Sequence, residues 1–229
     1  MVSVTVERLA TPRGELVLRS DGEHHEIISN GTFLMDTRDG RSERELVRAA
    51  VRAPGARVLI GGLGVGFSLA EALADPRVAA VTVVEIEPAV LRWNRTHLRT
   101  TALDDPRVTV EIAGLAAFLA AGTDRYDAVC LDVDNGPEWT VTAANAALYG
   151  DPGLDAVDRR LVPGGTLAVW SANAAPAFEA RLRSRYRTVE VAEVPVARGE
   201  PDLVYLARGG RPAPGRPAAA AAPGDAGGG

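Results

Sequence analysis

Three observations predict an α/β fold. Between Arg57 and Ala207, short apolar strands alternate with helical segments, the rhythm of a parallel sheet with helices on both faces. A glycine cluster, Gly61-Gly62-Leu63-Gly64-Val65-Gly66, lies between the first of those strands and the helix after it. An acidic residue, Glu85, ends the second strand. Together they predict a Rossmann-like architecture: a mostly parallel sheet closing on a C-terminal antiparallel hairpin, preceded by a small N-terminal β-meander.

The elements follow in order. Val2 to Val6 alternates with period two and reads as a strand; Thr11-Pro12-Arg13-Gly14 is a turn, and Glu15 to Leu18 a second strand. His25–Ile28 and Thr32–Met35 flank Ser29-Asn30-Gly31, an Asn-Gly hairpin signal. A polar helix over Ser42–Arg52 leads into the alternating region. There the strands are Arg57–Ile60, Val81–Val84, Val108–Ile112, Ala128–Leu131 and Thr166–Trp170. The helices are Phe67–Ala74, Ala89–Arg99 behind Pro88, Leu154–Leu161 and Ala175–Arg185. Thr188–Val194 and Leu203–Ala207 form the closing pair. This divides the chain into a meander (1–40), a nucleotide-binding domain (41–208) and a Gly/Ala/Pro-rich tail (209–229) whose composition predicts disorder.

Composition removes several functions. The 229 residues carry a formal net charge of -5, against the basic face of a nucleic-acid binder. No apolar run approaches the roughly 20 residues of a membrane-spanning helix, and no secretory signal is read at the start, so a cytoplasmic protein is expected. There is no lysine, which excludes a Walker A lysine, a pyridoxal Schiff base and the Tyr/Lys pair of short-chain dehydrogenases. The single cysteine, Cys130, lies in an apolar strand and reads as packing. His24, His25 and His97 read as surface or packing residues, and Trp93 and Trp170 as core.

Ligands of open α/β sheets sit at the carboxyl ends of the strands, so three segments should carry the chemistry. In the glycine cluster, Gly61, Gly62, Gly64 and Gly66 permit sharp turns and close approach. Their spacing is not that of dinucleotide enzymes, because position 67 is Phe, and the loop is expected to lie flat against a nucleoside. After the second strand, Glu85 is placed to accept ribose hydroxyls, with Ile86 beside it, and Glu87 to favour the dipole of the next helix. After the fourth strand comes Asp132-Val133-Asp134-Asn135-Gly136-Pro137-Glu138-Trp139. Acids with an aromatic suit a cationic ligand, and a carboxylate there can orient or deprotonate an amine. No histidine is near in sequence, and no metal is expected.

These segments, in this order, resemble the spermidine synthase branch of the class I S-adenosylmethionine (SAM)-dependent transferases, from about Thr11 to Arg208. Gly61–Gly66 is similar to that family's GGGDGG loop, Val84-Glu85-Ile86-Glu87-Pro88 to its V-E-I-D-P ribose motif, and Tyr126–Asp132 to Y-D-V-I-I-x-D, which carries the carboxylate at the reaction centre. Asn145–Tyr149 is similar to its N-L-F/Y segment and Leu161–Gly165 to L-x-P-G-G; the meander also matches that branch. The resemblance implies the class I methyltransferase fold, a SAM or decarboxylated SAM co-substrate, a small-molecule amine or polyamine acceptor, and a homodimer through the meander. It implies Asp132 as the catalytic carboxylate, with Asp134, Asn135, Glu138 and Trp139 around the acceptor. Gly114-Leu115 stands in the family's adenine-contacting position.

Four positions depart from the pattern. The loop aspartate, which in the family contacts the donor's amino group, is Gly64; the adenine-contacting Gly-Asp reads Gly114-Leu115. D-S-x-D-P becomes Asp132-Val133-Asp134-Asn135-Gly136, and Ser42-Glu43-Arg44-Glu45 has no clear match to Tyr-His-Glu. Three functions therefore stand open: aminopropyl transfer from decarboxylated SAM to an amine, methyl transfer from SAM to a small molecule, and nucleoside binding without catalysis.

Overall fold

The computed structural model describes residues 3–140, 143–197 and 199–210. An antiparallel sheet comes first, in the order β1 (Val4–Thr11), β2 (Gly14–Ser20), β3 (His25–Ser29), β4 (Thr32–Asp36). Its last turn is the expected Asn30-Gly31 pair, with positive φ at both residues, as a type I′ hairpin requires.

The second sheet is built from β5 (Ala56–Gly61), β6 (Val78–Glu85), β7 (Val108–Ile112), β8 (Tyr126–Leu131), β9 (Leu161–Ser171), β10 (Tyr186–Val194) and β11 (Asp202–Gly210). Its order is β10-β11-β9-β8-β5-β6-β7; β5 to β9 run parallel, while β11 pairs antiparallel with both β9 and β10. The strand order reverses between β5 and β8. Two adjacent parallel strands whose following segments leave in opposite directions open a crevice at their carboxyl ends. Gly61 and Leu131 are register partners there, and the Asp132 N–H donates to the Gly61 carbonyl at 2.8 Å.

Alternate side chains of each strand enter two cores. On one face Val58, Ile60, Val81, Val83 and Cys130 pack with helices α1 (Arg41–Ala50), α2 (Phe67–Ala74) and α3 (Pro88–Thr96), and with Leu16, Leu18 and Ile27 of the meander. On the other, Leu59, Val129, Leu131, Leu167 and Val169 pack with α4 (Leu115–Ala121), α6 (Asp151–Arg160) and α7 (Pro176–Arg185); the short α5 (Ala143–Ala146) precedes α6. Buried parallel strands are apolar on both sides, and these are. Cys130 is fully buried in the first core, as expected, and burial pushes its thiol pKa up.

Most element ends shift by a few residues from expectation, β1 running on to Thr11 and β6 starting at Val78, and three departures are larger or have a clear cause. Helix α4 was not anticipated: Leu-Ala-Ala-Phe-Leu-Ala-Ala has no polar face to set a period. Strand β9 starts at Leu161, running through Pro163-Gly164-Gly165 where a turn was expected; the pairing with β8 slips there, and Gly164 takes φ +82°. Gly209 and Gly210, assigned from composition to the tail, are the last residues of β11, and the rest of the tail lies outside the described residues. No helix of the described residues is long and apolar enough to cross a membrane.

Candidate active site

A cavity of about 850 Å³ opens at the switch point, between the carboxyl ends of the parallel strands and the meander. The meander is tied down as its roof. Arg13, in the β1–β2 turn, pairs with Glu87 and donates to the Ile86 carbonyl at 2.9 Å, while Glu7 on β1 accepts from Arg92 and from Trp93 Nε1 on α3. Glu87 occupies the N-cap position of α3, as expected; it makes no side-chain cap hydrogen bond, and its carboxylate also pairs with Arg13.

The glycine loop is shaped by the protein's own packing. Gly62 has φ +94°, and a Cβ there would stand 2.0 Å from the Asp132 carbonyl oxygen. Gly64 has φ +52°, and its Cβ would meet the Met35 sulfur at 2.0 Å; the Val65 N–H is directed at the same sulfur at 3.2 Å. The side-chain space at these positions therefore faces β8 and β4, not open cavity, although Gly62 and Gly64 still line it with backbone. Gly61 ends β5, Gly66 precedes α2 and Gly114 precedes α4, so these three hold the turns rather than the wall.

Glu85 is buried, and its two carboxylate oxygens accept the Leu63 N–H (2.9 Å) and the Glu87 N–H (2.8 Å). It pins the loops after β5 and β6 together. Burial raises its pKa against the opposing pull of those backbone donors. A carboxylate has roughly four acceptor sites, so capacity remains for ribose hydroxyls. Ile86 and Leu115 line an apolar recess next to it.

Asp132 stands at the floor. Its Oδ2 accepts the Ser68 hydroxyl of α2 at 3.2 Å. Burial first, and the neighbouring Glu43 carboxyl second, push its pKa up to about 8. Asp134, at φ +54°, lines the cavity and accepts from Asn145 at 2.9 Å. Asn135 is buried on the wall; its backbone accepts from Ala172 and donates to Trp139, fastening the loop to the end of β9. Trp139 lines the cavity while remaining half exposed. Glu138 does not belong to the cavity: its Oε1 accepts the Ala177 and Phe178 N–H groups at 3.0 and 3.4 Å, capping α7. That corrects its placement with the acceptor-binding acids.

Sequence reasoning missed three cavity residues. Glu43 and Asp202 come from opposite ends of the chain, on α1 and at the start of β11, and meet through the Ser42 hydroxyl. Trp170, expected in the core, is buried and also lines the cavity. The lining carries Asp36, Asp39, Glu43, Glu85, Glu87, Asp132, Asp134, Glu200 and Asp202 against Arg13, Arg38 and Arg41. Those arginines are engaged by Glu87, Asp36 and Asp39 respectively, which leaves a markedly acidic chamber. Among the described residues, no group of three or more His, Cys, Asp or Glu is spaced to hold a metal.

The protein is a Rossmann-like α/β protein with an acidic chamber at the switch point of its sheet, under a β-meander. Its shape is shared with a spermidine synthase solved in complex with the transition state analogue AdoDATO (TM-score 0.76, 17% identity, covering 90% of this chain and 74% of that one). At that identity the likeness establishes the fold. The spermine/spermidine synthase domain family matches residues 48–181, more than half of the chain, and the chain belongs to that family. Polyamine aminopropyltransferase 1 of Streptomyces coelicolor is 35% identical over 151 residues, 63% of this chain and 28% of that protein. Putrescine N-methyltransferase 2 of Nicotiana tabacum is 35% identical over 116 residues, 48% of this chain and 31% of that protein. The chain thus spans less than a third of the length of these curated relatives.

Proposed function

We propose that the chain is a transferase that moves an aminopropyl group from decarboxylated SAM to a small amine. The observation that carries this reading is Asp132: a carboxyl with pKa near 8, at the switch point, in a chamber of carboxylates. The donor's adenosine lies along the glycine loop, its ribose on Glu85 and its base in the recess of Ile86 and Leu115; Gly114 shapes the turn beneath. The sulfonium and the acceptor are both cationic, and the chamber favours both through charge and through the Trp139 ring.

The reaction is an in-line displacement. The amine nitrogen forms a bond to the donor carbon, the carbon–sulfur bond breaks, and its electron pair stays on sulfur, releasing 5′-methylthioadenosine. The nucleophile must be neutral, and ionised Asp132 takes the proton that the new secondary ammonium gives up. A carboxylate with a raised pKa is the better base, and the two cations that enter the site favour its ionised form. Asp134 and Asn135 shape the acceptor wall. Holding both reactants on one rigid sheet edge supplies the proximity that such a displacement needs.

Methyl transfer from intact SAM is the second reading. It is favoured by Gly64, where no acid opposes a donor carboxylate, and by the likeness to putrescine N-methyltransferase. The test is turnover with 1,4-diaminobutane and each donor in wild type and Asp132→Asn. Aminopropylated product that falls at least about a hundredfold in the variant supports the proposal. Unchanged turnover in the variant removes Asp132 from the chemistry, and methylated amine as the product establishes the second reading.

A further inference from the structure

The backbone N–H groups of the glycine loop meet acceptors of unequal strength. Gly62 donates to the Val84 carbonyl at 2.9 Å, Leu63 to Glu85 Oε2 at 2.9 Å and Gly66 to the Leu63 carbonyl at 2.9 Å. The Val65 N–H instead meets a thioether, Met35 Sδ at 3.2 Å. Such a sulfur is a weak acceptor. The same peptide group is fixed from its other side. The Gly64 carbonyl accepts Asn94 Nδ2 of α3 at 2.7 Å, and Asn94 is fully buried, with a second bond to the Val90 carbonyl. C=O and N–H point in opposite directions across a trans peptide, so Asn94 aims the Val65 N–H toward β4.

Met35 also takes a place that belongs to position 64. A Cβ on Gly64 would stand 2.0 Å from Sδ and 2.8 Å from Cε of Met35. Met35 and Gly64 both line the cavity. The side-chain space of a loop residue is thus filled from the meander, by a group that carries neither charge nor hydrogen-bond donor.

We infer that Met35 sets donor selectivity: its thioether fills the space beside Gly64 and closes the Val65 N–H to the carboxylate of an amino-acid sulfonium. The inference rests on the donor's placement along the glycine loop and adds the residue that discriminates between its two forms. A backbone N–H held in a fixed direction is a strong partner for a carboxylate, because the acceptor is charged. With the thioether in place that bond cannot form, and the carboxylate faces an apolar side chain instead. A decarboxylated donor forgoes nothing there.

The test is calorimetric titration of wild type, Met35→Ala and Met35→Leu with SAM and with decarboxylated SAM. Removing the side chain uncovers an oriented N–H, so Met35→Ala should shift the ratio of the two affinities toward SAM by at least about tenfold. Leu restores the volume, so Met35→Leu should keep the ratio close to that of the wild type. The shift can be read whichever donor the wild type prefers. An unchanged ratio in folded Met35→Ala, or the same shift in both variants, overturns the role of Met35 and leaves the donor site standing. Peroxide oxidation of the wild type serves where a variant does not fold. Met35 is the one methionine besides Met1, so its sulfoxide is read by mass from a single peptide. Saturating decarboxylated SAM should slow its formation at least about threefold, and no protection overturns the placement of Met35 against the donor. If the wild type binds neither donor, the selectivity role and the donor reading fall together.

Discussion

Replacing Asp132 with Asn should make the empty protein more stable while disabling it. The fold pushes this carboxyl from an ordinary 3.8 to about 8. A group bound more tightly to its proton in the folded state loses stability as pH rises, because the unfolded chain ionises first. The loss begins above the unfolded value near 4 and is complete once the folded value near 8 is passed. At roughly 1.4 kcal/mol for each tenfold change in proton affinity, the full penalty of ionising Asp132 in place reaches about 6 kcal/mol. The amide of Asn is a weaker acceptor for the Ser68 hydroxyl, so about half of that ceiling should be recovered. About 3 kcal/mol corresponds to roughly 6–12 °C in Tm for a chain of this size. The assay is differential scanning calorimetry of both proteins, without ligand, from pH 5 to pH 9. The advantage of Asp132→Asn should be small at pH 5, grow through pH 7 and level off above pH 8. Parallel curves, or a variant less stable throughout, would refute the claim that Asp132 is a strained buried acid.

Two further substitutions test the loops around it. Gly62→Ala places a Cβ 2.0 Å from the Asp132 carbonyl at φ +94°, so it should destabilise the fold by at least about 2 kcal/mol and weaken donor binding; a thermal unfolding curve that overlays the wild type would show that the β5 and β8 loops are not packed as described. Glu138→Ala removes the cap of α7 and should cost about 1 kcal/mol, with the KM for the amine unchanged; a several-fold rise in that KM would return Glu138 to the acceptor site.

Strand spacing made the parallel sheet legible before any coordinates, because buried parallel strands are short apolar runs bounded by turn residues. Phe67–Ala74 and Val108–Ile112 coincide with their expected bounds, as each is closed by Asp-Pro, Gly or a change of period. Helix α4 was hidden for the opposite reason, since an all-apolar segment carries no phase. The glycine loop, Glu85 and Asp132 could be found because residues at strand ends need no long-range information to be placed at the switch point. Glu43 and Asp202 could not. Ser42 and Asp202 are 160 residues apart, and α1 reads as a polar helix whose carboxyls would ordinarily face water. Asp202 of β11 and Ser68 of α2, which meet the first turn of α1, help convert Ser42 and Glu43 into buried groups. Glu138 misled because an acid beside Trp139 is locally indistinguishable from a ligand-binding acid; its role is fixed by α7, which follows about forty residues later.

The central claim is that this chamber takes a decarboxylated sulfonium nucleoside in preference to the amino-acid form. Parallel calorimetric titrations of the wild type with decarboxylated SAM and with SAM test it most directly. The account predicts that the decarboxylated donor binds at least about tenfold more tightly, about 1.4 kcal/mol, because a donor carboxylate would add a further negative group to a chamber lined mainly by carboxyl groups, which the missing acid at Gly64 relieves only at the loop. Tighter binding of intact SAM would contradict it and assign the site to methyl transfer, and failure of both donors to bind would contradict the transferase reading altogether.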